Sequence, residues 1–120
     1  ISLARINDGH DRAVLFFWTA KWIEALGFIF PQDLTGGEDS YLDALATYFR
    51  NMGYRKHYKY LKNIMFEHVH CGFNTRPIDN TDVLRRSRIK KWKVSYNKKL
   101  PMIPIYAQSL INAINNLSNK

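Results

Sequence analysis

A chain of 120 residues, 46% hydrophobic and 14% aromatic, carries enough apolar material for one buried core, so a single domain or partial domain is expected over residues 1–120. Its net charge of +8 favours anionic partners, and its lone cysteine, Cys71, excludes both an internal disulfide and a cysteine-rich zinc site. The longest apolar runs, Ala13 to Trp18 and Ala25 to Phe30, fall far short of the roughly 20 residues of a membrane span, so no transmembrane segment is expected.

A reducing, cytoplasmic setting follows from the cysteine count. The first residue is Ile1, and no secretory pattern follows it, which fits a processed chain or a piece of a longer one.

In chain order, the segment DRAVLFFWTAKWIEALG places Val14, Leu15, Trp18, Trp22, Ala25 and Leu26 at helical spacings. Asp11 stands at its start and Gly27 where a C-terminal cap belongs, predicting a helix over 11–26. FIFP reads as a short extended exit, because Pro31 disfavours a helical Phe30. QDLTGG is a loop, and a second helix is expected from Glu38 to Met52, with Tyr41, Leu45, Tyr48, Phe49 and Met52 on its apolar face.

From Tyr58 to His70 the alternation of Met65, Glu67 and Val69 against Ile64, Phe66, His68 and His70 predicts a strand. Asp79 or Thr81 is placed to cap a third, basic helix from Asp82 to Val94. Pro101 and Pro104 bracket a turn, and IYAQSLINAINNL is a last amphipathic helix, so 82–120 forms a basic helical segment. The fold class expected is α/β: mostly helical, with a few short strands.

Three groups of residues carry chemistry. Glu38 and Asp39 open a helix directly behind a double glycine, where the dipole and the unpaired first-turn amides favour ionised carboxylates able to accept a proton. Acidic residues also occupy first turns simply because they stabilise helices. A two-residue period puts His68 and His70 on one face, within reach of a shared metal ion if a third ligand such as Glu67, Asp79 or Asp82 joins them; histidine pairs in strands also serve as packed or hydrogen-bonded residues.

The third group is the cationic run Arg85, Arg86, Arg88, Lys90, Lys91 and Lys93, continued by Lys98 and Lys99 with no acidic residue among them. Cations interleaved with Trp92 and Tyr96 suit phosphates and stacked bases. The same spacing equally makes Ile89, Trp92 and Tyr96 the buried stripe of a helix with a solvated basic face. No Walker or dinucleotide-type glycine loop is present.

The order of these pieces, from Trp22 to Asp82, resembles the second half of glycosyltransferases with the GT-A fold, above all the family-2-like enzymes of phages and bacteria. The segments that carry the resemblance are Leu26, Gly27 and Pro31, then Glu38 and Asp39, then the His-x-His of His68 and His70, then Gly72, and finally the D-N-T of Asp79 to Thr81.

The resemblance implies that Asp39, or its neighbour Glu38, is the general base that deprotonates an acceptor hydroxyl as it attacks the sugar of a nucleotide-sugar donor. It implies that His70 or His68 completes the coordination of Mn²⁺ or Mg²⁺ at the leaving diphosphate, and that Asp39 and His70 border one cleft. The nucleotide-holding half of such enzymes ends in Asp-x-Asp, and no such triplet occurs here, so the chain corresponds to the acceptor-side half only. The acceptor would be a glycan or a lipid-linked molecule, with the basic helix lying at a membrane surface.

A reading of another class stands beside it. A small basic protein of nucleic-acid-binding or virion-type structural assembly would use the 85–99 segment to hold nucleic acid or an acidic protein partner. A third reading is an architectural subunit whose apolar helix faces meet partners.

Overall fold

Leu3 sits at the middle of a small sheet, paired across to Trp18 on one side and to Tyr58 on the other, and is almost wholly buried. The computed structural model describes residues 2–7, 16–65 and 77–118. Strand β1 (Leu3–Asn7) lies between β2 (Phe16–Trp18) and β3 (Tyr58–Met65) in the order β2-β1-β3. The β1–β2 pair is antiparallel and the β1–β3 pair parallel. A parallel pair needs a long crossover, and helices α1 (Ala20–Leu26) and α2 (Glu38–Asn51) supply it. The register jumps from Ile6 opposite Leu61 to Asn7 opposite Met65, a bulge-like irregularity in the ladder near the end of β3.

Three further helices complete the described residues: α3 (Asn80–Ser87), α4 (Ile89–Lys99) and α5 (Ile103–Ser118). The fold is thus mostly helical with a short mixed sheet, as the composition and patterning led one to expect. No helix among the described residues is long and apolar enough to cross a membrane.

The core forms where α2 meets α5. Tyr41, Leu42, Leu45, Ala46 and Phe49 face Ile103, Ala107, Leu110 and Ile111, two stripes at helical spacing. Leu3 and Tyr58 of the sheet and Trp22 of α1 close the cluster, and the Trp22 ring meets Phe49 edge to face at 5.6 Å. The α2 stripe is rotated from the expected one: Tyr48 and Met52 are exposed, and Leu42 and Ala46 take their place.

Four expected boundaries change. The helix over 11–26 starts only at Ala20, because Phe16 to Trp18 pair with β1; a continuous apolar run fits strand and helix alike, and the neighbouring strand decided. Residues 11–15 lie outside the described residues, as do 66–70 of the expected strand. FIFP is not a strand but a bend, held by its rings: Phe28 packs edge-on to Tyr106 and Phe30 to Trp18.

The single basic helix is two. It breaks at Arg88, where the Ser87 hydroxyl donates to the Leu84 carbonyl at 2.6 Å and the Arg88 amide turns back to Arg85. The turn between the prolines is a 3₁₀ turn over Leu100–Met102, and α5 already includes Pro104. Proline is tolerated there because first-turn amides have no intrahelical partner to lose.

Candidate functional site

The double glycine of TGGED is where the chain folds back on α4. Gly37 is the N-cap of α2 in the left-handed region, with φ 73°. Trp92 lies over both glycines: a Cβ at Gly36 would stand 2.7 Å from Trp92 Cβ and Cγ, and one at Gly37 2.9 Å from Cζ3. No residue with a side chain fits at Gly36 unless the helix above it moves.

Polar contacts fix the same loop. The Thr35 amide donates to Ser95 Oγ at 3.2 Å, and the two hydroxyls lie 3.1 Å apart. Ser95 donates its own proton to the Trp92 carbonyl at 3.0 Å, so the Thr35 hydroxyl is the donor to Ser95. At the loop's start Asp33, itself at φ 71°, faces Lys99 Nζ at 3.7 Å. Below it the Tyr41 phenol donates to the Lys99 carbonyl at 2.6 Å. Burial pushes that phenol well above the ordinary tyrosine range, with Tyr106 and Tyr96 adding to the shift.

Glu38 and Asp39 emerge from this clamp in the first turn of α2, both half-buried. Asp39 Oδ1 accepts the Ser40 amide at 2.7 Å, one of the orphan donors of a helix start. Neither Glu38 nor Asp39 is fully buried, so both remain partly accessible beside the clamped loop. His68 and His70, together with Cys71 and Gly72, lie outside the described residues.

Of the carboxylates weighed as third metal ligands, Glu67 lies outside the described residues, and Asp79 and Asp82 have other work. Asp79 and Asp82 form a reciprocal capping box at the start of α3: the Asp82 amide donates to Asp79 Oδ1 and the Asp79 amide to Asp82 Oδ2, each at 3.0 Å. Asp82 is buried and its second oxygen faces Arg85 at 3.8 Å. The D-N-T element therefore starts a helix, with Asp79 as the cap. Among the described residues no three potential metal ligands cluster.

The cationic run divides by face. Ile89, Trp92, Ser95, Tyr96 and Lys99 form the inward stripe of α4, with Tyr96 edge-on to both Tyr41 and Trp92. Of the two alternatives left open for Trp92 and Tyr96, packing is the one realised. Arg85, Arg86, Arg88, Lys91, Lys93 and Lys98 are exposed, and Lys90 belongs to α4.

No family model, curated protein or solved structure matches the chain.

Two features of this site escaped the sequence. Ser95 gave no signal beyond its position three residues after Trp92, and Thr35 read as ordinary loop chemistry. Their pairing spans 60 residues of chain, which no local pattern encodes.

Proposed function

We propose that the chain is the acceptor-side portion of an inverting glycosyltransferase of the GT-A type that uses a nucleotide-sugar donor. The observation that carries this reading is the presentation of Asp39: a carboxylate at the start of α2, half-exposed, on a double-glycine loop clamped by Trp92 and Ser95 of α4. A general base needs this combination of access and fixed position, since a misplaced base loses its hydrogen bond to the acceptor.

In the reaction, the Asp39 carboxylate takes the proton of the acceptor hydroxyl. The acceptor oxygen forms a bond to the anomeric carbon of the sugar, and the bond from that carbon to the diphosphate breaks, releasing a nucleoside diphosphate. Glu38 is the neighbouring alternative base. Among the described residues no three potential metal ligands cluster, and Asp79 and Asp82 form the α3 cap. His70 and His68 are the residues to which this reading gives Mn²⁺ or Mg²⁺.

The test is nucleoside diphosphate release from a panel of nucleotide sugars, with and without glycan or lipid-linked acceptors, by the protein and its Asp39→Asn variant. Acceptor-dependent release that the variant loses supports the reading. Release that is undetectable, or equal in the variant, overturns it.

The alternative, a basic nucleic-acid-binding or assembly protein, keeps its exposed cations but not its stacking platform, because Trp92 and Tyr96 are turned against the glycine loop.

A further inference from the structure

No acidic residue follows Asp82 in the sequence, while Arg85, Arg86, Arg88, Lys91, Lys93 and Lys98 all stand exposed on α3, α4 and the junction between them. Exposed aliphatic side chains lie among them. Val83 and Leu84 of α3 are 58% and 51% exposed, beside buried Asp82 in the sequence. Val94 is 57% exposed, opposite the Trp92 and Tyr96 stripe and flanked at i−3 and i+4 by Lys91 and Lys98.

The composition of this outer surface separates its possible anionic partners. A nucleic acid offers phosphates to the cations and flat bases to aromatic rings, but the rings of this segment are packed inward. Val83, Leu84 and Val94 have no use on a phosphate backbone, and exposing them to water is unfavourable. An anionic bilayer accepts both kinds of group: lipid phosphates meet the Lys and Arg heads, and the aliphatic tips enter the boundary between headgroups and acyl chains.

We propose that α3 and α4 form a peripheral docking surface for an anionic lipid bilayer, with Arg86, Arg88, Lys91 and Lys98 supplying the electrostatic attraction and Val83, Leu84 and Val94 shallow insertion. The surface does not depend on the glycosyltransferase reading. Thr35, Gly36 and Gly37, which precede Glu38 and Asp39, pack on the Trp92 and Ser95 stripe of α4, the side opposite Val94.

The experiment is co-sedimentation of the full chain with vesicles of phosphatidylcholine alone and of phosphatidylcholine mixed with phosphatidylglycerol, across a range of salt. Binding is expected only to the anionic vesicles and to weaken with salt. Neutralising Arg86→Gln, Arg88→Gln, Lys91→Gln and Lys98→Gln together is expected to lower the partition coefficient by two to three orders of magnitude, from roughly fivefold per cation. The charge-preserving set Val83→Ser, Leu84→Ser and Val94→Ser is expected to lower it about tenfold while leaving binding to a DNA duplex unchanged. These residues are exposed, and a circular dichroism melt confirms that each variant is folded. Absence of binding to anionic vesicles overturns the proposal. So does full retention of vesicle binding by the serine variant, or a DNA affinity exceeding that for vesicles at equal phosphate, which would make the surface a nucleic-acid site.

Discussion

Trp92 rests directly on Gly36, so closely that its Cβ and Cγ occupy the space a Cβ on residue 36 would need. The obstructing atoms are the root of the indole side chain, which cannot swing aside without moving α4. Gly36→Ala is therefore expected to destabilise the protein by about 1–3 kcal/mol, the usual range for an overpacked contact. Chemical denaturation measures it, and an unchanged midpoint would show that the loop and α4 separate easily.

Asp39 and Glu38 leave that clamp side by side, and the glycosyltransferase reading makes one of them the base. Replacing a general base typically costs a factor of about 10² to 10⁴ in kcat. Asp39→Asn is expected to show such a loss with KM little changed, and Glu38→Gln a smaller one. Steady-state kinetics on both variants decides which carboxylate acts; equal small losses would remove both.

The core depends on Phe49, which no solvent reaches and which meets Trp22 edge-on and Tyr54 stacked at 5.0 Å. Phe49→Ala removes the contacts to Trp22 and Tyr54 at once and should cost about 3–5 kcal/mol. A loss of that size is comparable to the whole stability of a small domain. Thermal melts are expected to show a broad or absent transition.

At the start of α3 the Asp79 carboxylate satisfies one amide that would otherwise be left without a partner. Asp79→Ala is expected to cost about 1 kcal/mol, while Asp79→Ser, which keeps an accepting oxygen, should cost less. Amide exchange at Asp82 reads the cap directly: faster exchange in the alanine variant is expected, and identical protection would show that the cap contributes nothing.

Tyr41 provides a pH dependence of defined sign. Its phenol is held in the neutral form by burial, with a pKa raised above the unfolded value of about 10. The folded state then keeps a proton that the unfolded chain releases, so this contribution is complete below pH ~10 and declines as pH rises above it. Tyr41→Phe is expected to lessen the alkaline loss of stability, at a cost near neutrality of about 0.5–1.5 kcal/mol for the missing bond to the Lys99 carbonyl. Urea midpoints at neutral and alkaline pH, compared between the two proteins, test both parts; parallel pH profiles would refute the first.

Local chemistry in the sequence settled much of this molecule. The glycine pair and the two acids placed the start of α2 where it is found, Gly27 ends α1 in the left-handed conformation, and Asp79 caps α3. Each is a decision taken within a few residues, by backbone freedom or by a side chain reaching a nearby amide. Charge was equally legible, since surface cations need no partner to be placed outside.

What tertiary structure alone decided is which neighbour each ambiguous segment would meet. Phe16 to Trp18 became a strand because β1 offered a ladder, and the basic segment broke at Arg88 into two helices, the second of which packs its aromatic stripe on the glycine loop. The contact between Thr35 and Ser95, which ties the loop to α4, joins residues 60 apart. Apolar periodicity states that a face will be buried, but the partner that buries it is chosen by the free energy of the whole packed core, and that choice is absent from any local stretch of the chain.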